Sequence, residues 1–154
     1  MKYILLPLLS IFILLSSCTK EEEPSMRTNV LTKGKWKTYY SVTVTDFPEP
    51  VGQVETDLFA LMPACEQDNY YIYKMDNSTL TDQGDNFCYP DAGQVYDPQV
   101  TWKFEDADTK LRVTDTSRSV LCDLILFSDT AIHMRYTTTD NNITSVTETR
   151  AQHF

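Results

Sequence analysis

The sequence predicts an all-β domain, an antiparallel meander closed as a barrel or packed as a sandwich. Three observations carry this reading. Apolar residues recur with period two, turn-forming clusters separate the alternating runs, and residues 30–154 are the right length for one domain with one core.

The chain begins with material that does not belong to that domain. Lys2 supplies a positive charge, residues 3–15 are apolar apart from Ser10, and Ser16 and Ser17 come directly before Cys18. A charged start, a short apolar core and small residues at the cut form a secretory signal peptide over residues 1–17. The apolar run is shorter than the roughly 20 residues a membrane-spanning helix needs. Leu15-Ser16-Ser17-Cys18 resembles the lipobox of bacterial lipoproteins, which implies acylation of the Cys18 thiol by diacylglycerol, with a further chain such as palmitate on the amine. Each buried CH₂ contributes roughly 0.8 kcal/mol, so one chain holds marginally and two or three hold stably. Residues 18–29 then read as a lipidated cysteine and an acidic tether, because Thr19 to Arg27 is polar and has no apolar face to bury. Within it, Lys20-Glu21-Glu22 resembles the signal that sends Bacteroidetes lipoproteins to the outside of the outer membrane.

Loss of residues 1–17 removes one of the 13 basic residues, leaving 12 against 22 acidic ones, a net charge of −10. Nucleic acid and anionic head groups, which need a positive footprint, are poor partners for such a chain.

The elements follow in order. Trp36, Thr38, Tyr40, Val42 and Val44 share one face of a first strand, against Lys35, Lys37, Ser41, Thr43 and Thr45. Residues 55–62 have helical character, with Thr56 or Asp57 as cap, Leu58, Leu61 and Met62 on one side, and Pro63 as the stop. Alternation returns at Tyr71, Tyr73 and Met75, opening a hairpin that runs to Thr81. It continues at Val100, Trp102 and Phe104, at Leu111 and Val113, at Val120, Cys122, Leu124 and Leu126, and at Ile132, Met134 and Tyr136. A last run, residues 142–150, is weakly patterned. Turn residues at 76–78, 106–108, 128–130 and 140–142 separate the runs.

Three stretches carry a family resemblance. They are LTKGKWK at 31–37, a glycine before a tryptophan; ACEQDNYYIY at 64–73, a cysteine before acidic residues and an aromatic strand; and DQGDNFC at 82–88, a glycine turn before a second cysteine. With the W-x-F strand at 100–104, their order resembles the lipocalin-like domains of Bacteroidetes lipoproteins over nearly the whole mature chain. The resemblance implies an up-and-down barrel of about eight strands with one short helix over residues 30–154. Asn69 departs from the family's usual acidic pair, and Cys122 is an extra cysteine.

With Cys18 lipidated, three thiols remain. Cys122 alternates with Val120 and Leu124 and faces the core. That leaves Cys65 with Cys88, the pair the resemblance also selects, the alternative being two free thiols. Motifs for chemistry are sparse. His133 sits on the outward face beside Arg135, His153 is next to the end, and neither has metal-ligand spacing, so both read as surface histidines. Asp76, Asp82, Asp85 and Asp91 form an acidic rim without the order of a calcium loop, and read as solvated turns. No glycine-rich phosphate loop or nucleophile elbow is present, so no cofactor, metal or catalytic residue is assigned and the chain is not read as an enzyme.

Two expectations follow for a barrel. By the resemblance it is a container for a small apolar ligand, lined by Trp36, Tyr40, Tyr71, Tyr73, Trp102 and Tyr136. Alternatively these rings fill it, since eight strands are just wide enough for side chains to do so, and it is a rigid platform for a protein or glycan. The anchor itself has a direct check: wild-type protein should partition into the detergent phase of a membrane extract, and the Cys18→Ala protein into the aqueous phase. Equal partition of the two would contradict lipidation.

Overall fold

In the computed structural model the described residues are 24–154, so residues 1–17, Cys18 and Lys20-Glu21-Glu22 lie outside them. The strands are β1 (Trp36–Asp46), β2 (Gln53–Asp57), β3 (Tyr70–Tyr73), β4 (Ser78–Asp82), β5 (Val95–Glu105), β6 (Lys110–Thr114), β7 (Ser119–Phe127), β8 (Ala131–Asp140) and β9 (Ile143–His153); all but β2 correspond to the expected runs, and the predicted turns fall at the β3–β4, β5–β6, β7–β8 and β8–β9 connections. Asn77, Asp106, Ala107, Asp108, Asn141 and Asn142 take positive φ at these turns, a conformation that Asn and Asp tolerate best among side-chain-bearing residues.

Each strand from β3 to β9 pairs antiparallel with the next, and β9 returns to pair with β1 along almost its whole length. With β3 meeting β1 at Trp36 and Tyr71, eight strands close into the predicted barrel. The ninth, β2, is an extra strand hydrogen-bonded to the outer half of β1. This corrects the expected helix over residues 55–62. A turn at Gly52, whose φ is +68°, folds the chain back so that residues 53–57 satisfy the free edge of β1. The helix is reduced to α2 (Leu58–Leu61), capped by Asp57, whose carboxylate accepts from the Ala60 amide at 2.9 Å. After Pro63 comes α3 (Ala64–Gln67), also missed in the sequence.

One end of the barrel is closed and packed. The expected tether ends early, because α1 (Met26–Leu31) is helical from a Ser25 cap onward. Its last residue, Leu31, is fully buried and its carbonyl accepts from the Trp36 indole N–H at 2.9 Å. Arg27 stacks over Phe127 and donates to the Asp108 carbonyl at 2.6 Å, fastening the helix to the barrel base. Around this contact Leu31, Trp36, Trp102, Leu111, Ile132 and Ala151 form the core. Full burial of one such large apolar side chain contributes about 1.5–3 kcal/mol.

His153 departs from its expected surface position. Its ring packs 5.0 Å from that of Trp36, and a Cβ on Gly34 would fall 2.1 Å from its Nε2. The glycine before the tryptophan is there because the histidine ring occupies the space. His133, by contrast, is outward as expected, sharing Glu148 with Arg135 at 3.2 and 2.5 Å.

Cys65 and Cys88 are bonded, tying α3 to the loop after β4. Cys122 is buried, and burial followed by the nearby Asp123 charge pushes its thiol up to about 11. Two stability predictions follow from this packing. Replacing Cys65 and Cys88 together by serine should cost about 3 kcal/mol in urea unfolding, with strand content retained by circular dichroism and Cys122 unreactive to thiol reagents until unfolding. Gly34→Ala should cost about 1–3 kcal/mol through overpacking, and most of that loss should vanish in a His153→Ala background; an undiminished loss there would place the strain elsewhere.

Candidate functional site

Above the packed floor the barrel is hollow, enclosing a cavity of about 460 Å³. It exists because several inward positions carry small hydroxyl residues where bulky ones would fill an eight-stranded barrel. The cause lies in β1. A β-bulge between Thr38 and Tyr40 shifts the register with β9, so Trp36, Thr38 and Ser41 face the cavity and Thr43 and Thr45 follow Ser41 on the same face of the strand. Ser41, Thr43 and Thr45 pair across to Thr149, Thr147 and Ser145, with oxygen–oxygen distances of 3.2, 2.7 and 2.9 Å. A hydroxyl ladder thus replaces the expected stripe of Tyr40, Val42 and Val44.

Of the expected lining residues, Trp36, Tyr71, Tyr73 and Tyr136 do line the cavity. Tyr40 does not: the bulge turns it outward, where the Arg150 guanidinium stacks 4.6 Å from its ring. Trp102 does not either. It lies in the floor, edge-on to Tyr73 and Phe104 at 5.9 and 5.8 Å, with its indole N–H donated to the Ser78 carbonyl. A second bulge, between Leu124 and Leu126, likewise turns Leu126 out to 52% exposure and brings Phe127 in against Trp36.

One wall of the cavity is not made by strands. Because β1 and β3 share a single residue pair, the space above it is taken by the chain from α2 to β3, which contributes Met62, Glu66 and Asn69. The loop after β4 completes this wall and is held by buried polar groups. Gln83 is fully buried; its amide donates to the Tyr89 and Gly93 carbonyls at 2.8 and 2.7 Å and accepts from the Tyr89 N–H at 2.8 Å. Asp68 accepts from the Asp85 and Asn86 amides, each at 3.1 Å. Asp82, expected as part of an acidic rim, is instead buried and paired with Lys35. These bonds place Tyr89 at the cavity mouth, edge-on to Tyr96 at 6.0 Å, with its hydroxyl donated to Glu66 at 3.3 Å.

The lining is therefore mixed. Burial raises the Tyr71 hydroxyl above its usual range, reinforced by Tyr96 and by the Glu66 charge. Tyr73 is raised further, chiefly by burial. Asn69 and Thr79 line the cavity while almost wholly buried, and Asn69 Oδ1 and Thr79 Oγ1 have no protein partner. Such groups cost free energy unless something supplies a hydrogen bond. On the far rim Asp115 and Arg118 pair at 3.4 Å. Asp115 is held down to about 2, first by the Ser117 hydroxyl and then by the Ser117 and Arg118 amides, so its oxygens are occupied in closing their own turn.

Sequence reasoning missed Glu66, Asn69, Thr79, Thr81, Tyr89 and Tyr96 as cavity residues. Asn69 alone carried a signal, as the departure from the family's acidic pair. No family model matches this chain, and the comparison with curated proteins finds no match to it.

Proposed function

We propose that this chain is a lipoprotein of the lipocalin-like kind, held to the outer membrane through Cys18 and exposed at the cell surface, whose barrel binds a small, largely apolar ligand. The observation that supports binding is the cavity: about 460 Å³, within the range of small-molecule sites, with an aromatic floor and a few convergent polar groups. The alternative, a packed barrel serving as a platform for protein or glycan, needs a filled interior, and the hydroxyl lining of β1 and β9 leaves this one open.

The reading is of a binder and not of an enzyme. The carboxylate of Asp115 caps a turn, and the Cys122 thiol is held protonated by burial, so neither is prepared as base or nucleophile.

Trp36 reports on occupancy because it lines the cavity, whereas Trp102 is packed beneath it. Sterols, quinones and long-chain alcohols should include at least one that changes the tryptophan fluorescence saturably. The Val120→Phe protein, with the cavity narrowed by a ring, should lose that response while keeping its barrel circular dichroism. A response that never saturates, or one unchanged in Val120→Phe protein, would contradict binding inside the barrel.

A further inference from the structure

The charge at the mouth distinguishes among amphiphiles. Among the described residues that line the cavity, the charged ones are Glu66, Asp115 and Arg118. The last two neutralise each other, and Asp115 is occupied by its turn. Glu66 is different: half-buried in α3, it accepts a hydrogen bond from the Tyr89 hydroxyl and, among the described residues, from no cation. The cavity therefore carries one uncompensated negative charge, in a chain whose net charge is already −9.

Tyrosines share the lining with that carboxylate, and the Tyr89 hydroxyl touches it. Tyr89 and Tyr96 stand nearly perpendicular, at 68° with centroids 6.0 Å apart, and Tyr71 is close enough for the Glu66 charge to act on its hydroxyl. In this edge-to-face pair one ring meets the face of the other, and a ring face left toward the cavity beside an anion attracts an organic cation, since the face is the negative end of the ring quadrupole. Asn69 lies on the same wall with its amide oxygen unpartnered. Below lie the apolar side chains of Val100, Val113, Val120, Ile132 and Met134, continuous with Trp36. A head that is cationic and a tail that is apolar match this gradient. A carboxylate head would instead face the Glu66 charge.

We propose that the cavity selects a single-chain cationic amphiphile, its ammonium group seated between Glu66, Tyr89 and Tyr96 and its chain directed to the Trp36 floor. This rests on the binding reading above and adds the sign of the ligand's head group.

The test compares three ligands with the same tail, decyltrimethylammonium, decanol and decanoate, titrated below their micelle concentrations at neutral pH and low salt. The ammonium compound should bind about tenfold more tightly than the alcohol, and the carboxylate more weakly than either. In the isosteric Glu66→Gln protein the ratio of ammonium to alcohol affinity should fall toward one. Decanoate binding as tightly as the ammonium compound, or an ammonium advantage untouched by Glu66→Gln, would overturn the head-group assignment while leaving the cavity as a binding site. If none of the three binds saturably, the head-group assignment falls, and the binding reading is decided separately by the sterol, quinone and alcohol titration.

Discussion

Trp36 joins pieces of the fold that would otherwise be independent. Its indole N–H is given to the Leu31 carbonyl, which pins α1 beneath the barrel; its backbone supplies the single pair between β1 and β3 that completes closure. Its ring packs against His153 on one side and Phe127 on the other, and its remaining surface is part of the cavity floor. A donor buried this deeply needs its acceptor, so the position of α1 and the position of β1 cannot be chosen separately. Everything above the floor depends on that plug, because an eight-stranded barrel open at both ends would enclose no bounded space.

What keeps the space above the floor empty is a register change and not a large barrel. The bulge at Tyr39 turns a large ring out and serine and threonine in, and β9 answers with Thr149, Thr147 and Ser145 at the paired positions. Each hydroxyl finds another across the ladder, so this polar strip is buried without leaving unpaired groups. Among the cavity-lining residues the unpaired groups lie elsewhere, at Asn69 on the wall that follows α3 and at Thr79 on β4. Polar satisfaction thus separates a structural strip on β1 and β9 from two lining positions, Asn69 and Thr79, with bonding capacity to spare.

The fold was legible where one physical signal dominated. Period two in the runs around Trp102, Leu111 and Ile132 identified strands, and the Asn and Asp clusters located the turns. It failed where a residue's face depends on its partner strand. Nothing in Thr38-Tyr39-Tyr40 announces a bulge, since neither glycine nor proline is there, so Tyr40 and Leu126 were assigned to the wrong side. Residues 55–57 read as the start of a helix in the sequence because only the free edge of β1 makes them part of a strand. Cavity residues such as Thr79 and Thr81 were invisible for a related reason: they are ordinary strand threonines until closure buries them. Gly34 and His153 illustrate the same limit, since 119 positions separate them in sequence and only the β1–β9 pairing brings them together.

The central claim is a barrel packed at one end and hollow at the other, and a high-resolution crystal structure of residues 24–154 tests it most directly. The expected result is a void near 460 Å³ bounded by Trp36, Tyr71 and Thr149, with the Tyr40 ring outside against Arg150. A Tyr40 ring inside the barrel, with the interior filled to normal protein density, would contradict it.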